Sequence, residues 1–516
     1  VRSLKSASAD FSEYLRDESR YGPGRAEAVL FPTDEREVAE IVARAQEKGA
    51  PVTVSGGRTG VVGGAVPDGG IVISMERMNR FIGLARHPEI EAWILRLQPG
   101  VTLAELRAAV RDKAFPDLND LPAFGADPLP YFYPPDPTEP SCQIGGTVAT
   151  NASGARSFRY GPTRLYVWGL RVVLPTGEVL ALRRGEIRAD EATRVTLSVG
   201  GRRLSLRLPD YLMPAVKNAA GFYRQPRMDL LDLFIGSEGV LGVVTEVELL
   251  LVPRPADFAK VLAFFSSEEE ALAFVRAART SRAVNPSALE FFDARSLQLL
   301  EAFRSAHNSA AYPALPPAGA AVLFEEPLTR GRGTEEVLDG WADLLRAHGG
   351  SLENTWAGLD PAGRERLRAL RHALPEAVNL LVAQNKKACP AVHKISTDFA
   401  VPDEAQESMF GAYLRIYREL GLDYVIFGHA GQNHLHTNLL PRDESDLAKA
   451  AEAVTELARL AVSLGGTVSA EHGIGKLKRH LLPLMYGEEG VRQMRELKQQ
   501  LDPNQILNRG NLFAPG

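Results

Sequence analysis

Cysteine is nearly absent: the chain of 516 residues holds two, Cys142 and Cys389. Two thiols cannot build a disulfide framework, nor the four-thiolate shell of a protein-borne iron–sulfur cluster. A reducing compartment, the cytoplasm, is the expectation. No run of about 18 uncharged apolar residues occurs, so no membrane-spanning helix is expected; peripheral attachment at the inner face of a membrane stays open. The opening stretch VRSLKSASADFSEYLRDESR has no apolar core of signal-peptide length. Positive charge is not in excess, since the formal net charge is -5 and the pI about 6.1, which argues against a nucleic-acid partner. Neither GxxxxGK[ST] nor GxGxxG with an acidic residue about 20 positions on is present, which disfavours a P-loop and a nicotinamide Rossmann site. Histidine is missing from the first half apart from His87; the other nine follow residue 300.

What is present points to a globular protein of more than one core. Hydrophobic residues make up 45% and charged residues 24%, the balance of a folded chain rather than a disordered one. Residues 34–49 read as an amphipathic helix with Val38, Ile41, Val42 and Ala45 on one stripe and Gly49 as its stop. Strand-like runs follow at Pro51–Ser55, Gly70–Ser74, Ala92–Leu97, Leu165–Leu174, Glu178–Leu182 and Gly242–Val252. The proline pair in LLLVPRPA marks a boundary. Beyond it, helices are expected at Glu268–Thr280, Gly333–His348, Glu404–Glu419 and Ser445–Leu464, with strands at Ala320–Glu325 and Tyr424–Phe427. The class is α+β, in three parts: residues 1–255, 256–465 and 466–516. Glycine clusters fill the first half and histidines the second, which suggests one half for a cofactor and one for a substrate.

The glycine segments are three. Ser55-Gly56-Gly57-Arg58-Thr59-Gly60-Val61 follows a strand directly, and its backbone N–H groups can turn toward one point and bind phosphate oxygens. Taken singly, a flexible surface loop explains it as well. The second is PPDPTEPSCQIGGTVATNASGARSFRYG at 134–161 and the third LDLFIGSEGVLGVVT at 231–245. In the second half, GHAGQNHLHTN at 428–438 and SAEHGIGK at 469–476 concentrate imidazoles and a carboxylate. Two imidazoles and one carboxylate make a ligand set for zinc or manganese that leaves positions for substrate oxygens. On a strand, His434, His436 and Asn438 would share a face, and His429 would reach in from the loop before it.

In this order, the glycine segments resemble the flavin domain of the vanillyl-alcohol oxidase and p-cresol methylhydroxylase superfamily. The resemblance implies a two-subdomain FAD-binding domain followed by an α+β substrate, or cap, domain. It places Ser55, Gly56, Gly57, Arg58, Thr59, Gly60 and Val61 around the FAD pyrophosphate. Ser141, Cys142, Gly145, Gly146, Ala149, Thr150 and Gly154 would line the flavin and ribityl chain, and Gly242, Val243 and Val244 the adenine side. Glu238 would hold its loop by accepting backbone hydrogen bonds. Some members attach flavin to a histidine in the first glycine loop; Arg58-Thr59 stands there, so non-covalent FAD is expected.

The second half is similar to the C-terminal domain of FAD-linked D-lactate dehydrogenases, D-2-hydroxyglutarate dehydrogenases and the D subunit of glycolate oxidase. That resemblance assigns His429, His436 and Glu471 to a divalent metal, His472 to the general base and Asn438 to the substrate carboxylate. Arg371 and Lys394 stand where the family binds substrate, although the spacing around Lys394 is shifted. The closing segment returns Asn508 to the flavin. One departure matters: the commoner element has Asp-Gly-Asn where this chain has Gln432-Asn433-His434, so His434 either competes as a ligand or shapes a different pocket. The implied reaction takes a small 2-hydroxy acid to its 2-oxo acid, with hydride passing to the flavin. Electrons then go to a quinone, a cytochrome, a flavoprotein or an iron–sulfur partner. The alternatives are a non-redox flavin transferase and a non-catalytic subunit that holds FAD; a homodimer stays open.

Overall fold

The computed structural model describes residues 4–5, 11–19, 21–118, 122–307, 310–329 and 333–514. Two larger sheets carry the first half, beside a two-stranded ribbon of Arg194–Val199 and Arg202–Arg207. In the smaller of the two sheets, strands Ala28–Leu30 and Val52–Ser55 both pair in parallel with Ile71–Ser74. Helix Glu35–Lys48 links the first two of these. Asp34 caps it by accepting from Glu37 N at 2.9 Å, and Gly49 ends it at φ 62° in the left-handed region that favours glycine. Its expected stripe of Val38, Ile41, Val42 and Ala45 is buried in the core shared with Val243, Ile506 and Leu507. The larger sheet runs in the order Phe81–Arg86, Trp93–Leu97, Val243–Pro253, Val167–Val173, Val179–Arg183 and is antiparallel throughout. Tyr131–Phe132 adds to the end of its central strand.

A third sheet, of seven antiparallel strands, carries the second half. Its order is Thr355–Gly358, Asp257–Phe265, Ala320–Leu328, Ala288–Asp293, Tyr424–His429, His434–Leu439, Ile395–Ser396. Helices Glu268–Thr280, Ala294–Ala306, Thr334–Ala347 and Pro361–Ala388 pack against it. The α+β class holds. The 28-residue helix Pro361–Ala388, not among the expected elements, runs through Pro375; its buried Leu367, Leu370, Leu374 and Val378 hold it to the sheet. Strand Asp257–Phe265 and helix Leu482–Leu501 were likewise not expected.

One placement is corrected. His429 does not reach in from a loop: it is the last residue of strand Tyr424–His429 and stands directly opposite His434. The turn between them is tight because Asn433 takes the left-handed conformation, φ 49°, with its side chain held by Arg279 at 2.7 Å and Asp403 at 2.7 Å. No helix among the described residues is long and apolar enough to cross a membrane.

Candidate active site

Two segments far apart in sequence meet at the edge of the seven-stranded sheet, and one short stretch joins them. Ala400 bridges to His434 on one side and to Thr467 on the other. Thr397 N donates to Thr437 O at 3.0 Å, and Ala470 N donates to Asp398 O at 2.7 Å. Residues 397–400 thus act as a spacer that lays residues 467–472 beside strand His434–Leu439. Within this frame Asp398 is a hub. Its carboxylate accepts from Lys478 Nζ at 2.7 Å and from the backbone of His472 at 3.0 Å, and lies 2.9 Å from His434 Nε2 and 3.3 Å from His472 Nδ1. Burial alone would raise its pKa, but the charges of His472 and Lys478 outweigh it and hold the carboxyl well below the usual range.

Around Glu471 the imidazoles close in. His429 Nε2 lies 3.3 Å from Glu471 Oε2, His436 Nε2 3.2 Å from Oε1, and His434 Nδ1 3.9 Å from Oε2. One ligand atom from each of His429, His434, His436 and Glu471 falls within 4.8 Å of the others, a mixed imidazole and carboxylate set suited to a divalent first-row ion. His429 is oriented from behind by Glu290, whose Oε1 is 2.6 Å from Nδ1. A metal-binding histidine needs such an outer partner to set its tautomer. Burial lowers the His429 pKa, yet the Glu290 and Glu471 charges override it and push it up to about 9. Burial pushes His436 down. Lys217 Nζ also enters this group, 2.5 Å from Glu471 Oε2 and 3.3 Å from His434 Nδ1.

Glu471 and His472 also line a cavity of about 370 Å³ whose remaining wall comes from the first half and from Asn508 and Asn511 of the closing segment. Gly56, Gly57, Arg58, Thr59, Gly60 and Val61 of the first glycine segment, Cys142, Gly145, Gly146, Ala149 and Thr150 of the second, and Gly242, Val244 and Asn508 are all in its lining. A Cβ at Gly60 or Gly146 would meet no atom within 4 Å, so bare backbone faces open space there. Gln143 Oε1, in the wall, is buried with no hydrogen-bond partner among the described residues. Open backbone and an unpaired acceptor fit a ligand with phosphate and flat ring parts. Four residues of the expected set lie outside the wall. Ser55 is the buried end of its strand, and Val243 turns into the core beneath. Ser141 is exposed, and a Cβ at Gly154 would run into the Asp136 carbonyl. His87 is away from the cavity, edge-on to Trp168 at 4.4 Å between ring centres.

Glu238 accepts backbone hydrogen bonds, but not from its own loop. Its two carboxylate oxygens take Ile474 N at 2.6 Å and Gly475 N at 2.7 Å, which ties the third glycine segment to the loop after His472. Burial raises its pKa to about 6 although the two N–H groups pull the other way. Asn508 spans the same region, accepting from Val54 N at 2.8 Å and donating to Glu238 O at 2.8 Å.

The remaining expected residues divide. Asn438 lies two positions beyond His436 on the same strand face; its Oδ1 accepts from Ser396 Oγ at 2.7 Å, and its buried Nδ2 has no hydrogen-bond partner among the described residues. Arg371 donates to Glu290 through Nε at 3.2 Å, behind His429, and is not part of the cavity wall. Lys394 stands just ahead of strand Ile395–Ser396, whose Ser396 pairs with Asn438. Glu290, Asp398 and Lys217 were not foreseen. Lone carboxylates inside the apolar runs ALEFF and TDFAV were the available signal for the first two; Lys217, in an irregular loop, gave none.

Comparison with known proteins identifies the family. Residues 254–512 match the model of the family described as FAD linked oxidases, C-terminal domain, and residues 26–121 and 126–183 match that of the FAD binding domain. A D-lactate dehydrogenase of Anaerostipes hadrus is 30% identical over 508 residues, covering 97% of this chain and 92% of that one. The glycolate oxidase subunit GlcD of Bacillus subtilis is 28% identical over 498 residues, covering 95% and 89%. Among solved structures, a 4-ethylphenol oxidase from Gulosibacter chungangensis aligns with a TM-score of 0.65 at 19% identity, covering 99% of this chain and 94% of its own.

Proposed function

The chain belongs to the FAD-linked oxidases, in the vanillyl-alcohol oxidase and p-cresol methylhydroxylase superfamily, and is an FAD-dependent oxidoreductase; from that premise we propose that it oxidises a small D-2-hydroxy acid to the 2-oxo acid. The observation that carries this reading is that Glu471 and His472 border the same cavity as the glycine loops of the first half. The names of the similar proteins, D-lactate dehydrogenase and glycolate oxidase, set the substrate class.

FAD held without a covalent bond would supply the acceptor for the substrate's α hydrogen and its electron pair. A divalent cation, zinc or manganese, held by His429, His436 and Glu471 would supply Lewis acidity beside the hydroxyl and carboxylate. The protein's own part is positional. His472 is turned by Asp398, 3.3 Å from its Nδ1, and its Nε2, 3.5 Å from Glu471 Oε1 beside the cation ligands, would take the hydroxyl proton. The unpaired Asn438 Nδ2 donates to the substrate carboxylate, and Arg371 and Lys394 contribute positive charge. The cavity residues from Gly56 to Val61 cradle the pyrophosphate, and those from Cys142 to Thr150 line the flavin. The balance is closed by an external acceptor, a quinone, cytochrome, flavoprotein or iron–sulfur protein, that reoxidises the FAD.

The deciding experiment is anaerobic mixing of the yellow protein with D-lactate, glycolate, D-2-hydroxyglutarate and longer 2-hydroxy acids. Bleaching of the flavin band at about 450 nm by one of them is expected. No bleaching across the panel refutes the reading and points to the non-redox transferase or the FAD-holding subunit. Denaturation should release all flavin into the filtrate.

A further inference from the structure

We propose that His434 is a third imidazole ligand, so that this chain holds its divalent cation with His429, His434, His436 and Glu471. The inference rests on the divalent-cation reading above and adds a donor to it. His434 is fully buried, and its ring centre lies 5.4 Å from that of His429 and 4.3 Å from that of His436.

Its two nitrogens face different neighbours. Nε2 lies 2.9 Å from Asp398 Oδ1, an anion that can only accept a proton. Lys217 Nζ, 3.3 Å from Nδ1, can only donate, so Nδ1 keeps its lone pair and the ring's single hydrogen belongs on Nε2, although Asp398 Oδ1 lies off the line of that N–H and makes no hydrogen bond with it. Glu471 Oε2 also lies on the Nδ1 side, at 3.9 Å. A carboxylate behind an imidazole whose far nitrogen aims at further ligand atoms is the arrangement that fixes a metal-binding tautomer. Behind His429, Glu290 Oε1 is hydrogen-bonded to Nδ1 at 2.6 Å, whereas Asp398 stands behind His434 as a charge at 2.9 Å. His434 takes the place that asparagine fills in the commoner form of the element, and an asparagine there is a much weaker donor toward zinc or manganese.

The competing occupant is the Lys217 ammonium, which uses the same Glu471 oxygen and the same His434 nitrogen. Either His434 Nδ1 bonds the cation, or it only accepts a hydrogen bond from Lys217. Three imidazoles and one carboxylate favour zinc or cobalt over magnesium, and leave the cation fewer open positions for substrate than the smaller set does.

The test uses the holoenzyme with its flavin, stripped of metal and reloaded with Mn²⁺ or Co²⁺. Electron spin-echo spectroscopy of the Mn²⁺ form should count three imidazole nitrogens in the wild type and two in His434→Asn. The Co²⁺ d–d spectrum should shift between the two, and His434→Asn should weaken Mn²⁺ and Co²⁺ affinity by about 10- to 100-fold. Two imidazoles in the wild type, or equal affinities and identical spectra in both proteins, would overturn the proposal and leave the two-histidine cation site standing. No Mn²⁺ or Co²⁺ bound by the wild type would overturn both. Lys217→Met serves as a second variant: tighter Mn²⁺ binding is expected once its ammonium no longer occupies the ligand atoms, and weaker binding counts against His434 as a donor to the ion.

Discussion

Glu238 Oε1 stands 2.6 Å from the backbone nitrogen of Ile474, so a carboxylate on a glycine loop of the flavin half fixes the loop that presents His472. With Gly475 N on its other oxygen, Glu238 satisfies two backbone donors that are otherwise buried. Each unsatisfied donor costs about 1–3 kcal/mol. Glu238→Ala should therefore destabilise the holoenzyme by about 2–5 kcal/mol, and Glu238→Gln, which keeps one acceptor oxygen, by less. Urea unfolding of the three proteins checks this; equal midpoints would remove Glu238 from the account.

His472→Ala should leave the protein yellow and metal-loaded while turnover falls by about 100- to 10,000-fold, the range for loss of a general base. Steady-state assays with a dye acceptor, beside flavin and metal content, provide the measurement. Turnover within a few-fold of wild type would transfer the proton to another group.

Dialysis against a chelator should abolish turnover without releasing flavin, because the cation ligands and the glycine loops are separate sets of atoms. Zinc or manganese should restore it. Full activity in protein shown to be metal-free would contradict the Lewis-acid role.

Asp293 caps helix Ala294–Ala306 by accepting from Ser296 N at 2.7 Å, and burial raises its pKa to about 7. A carboxyl with a raised folded-state pKa binds its proton more tightly folded than unfolded. Its contribution is therefore complete below about pH 4 and is lost as pH rises through about 7. Asp293→Asn keeps the cap without the titration, since asparagine and aspartate cap about equally well. Relative to wild type, the variant should gain thermal stability steadily between pH 4 and pH 8. A constant difference across that range would show that Asp293 does not titrate there.

Lys498 Nζ donates to Asp502 Oδ2 at 2.8 Å, Val240 O at 3.0 Å and Leu507 O at 2.9 Å, all buried. Asp502 in turn accepts from Ile506 N and Leu507 N, which shapes the turn that delivers Asn508 to the cavity. Lys498→Met leaves Asp502 charged and unpaired, a loss of about 3–5 kcal/mol. FAD affinity should drop with it, read by flavin fluorescence on dilution, whereas a purely local effect would lower stability alone.

The elements with strong periodicity were legible from the residues alone. Helix Glu35–Lys48 shows its stripe, cap and stop in sequence, and Glu268–Thr280 appears with the expected bounds, because local spacing and end signals decide such elements. The helix through Pro375 was not, since its length depends on packing against a sheet that no local pattern reveals. The same division runs through the site. Side-chain types and alternation on a strand were enough to put His434, His436 and Asn438 on one face, because the pleat repeats every two residues. Only the tertiary structure could bring Asp398, Glu290 and Lys217 to them. Their partners lie 36 to 254 positions away along the chain, as in the contact of Lys217 with Glu471, and no local rule reaches that far. The chemistry was written in residue types; the partner that holds each group in its working state was chosen by the fold, because charges and hydrogen bonds act through space and not along sequence.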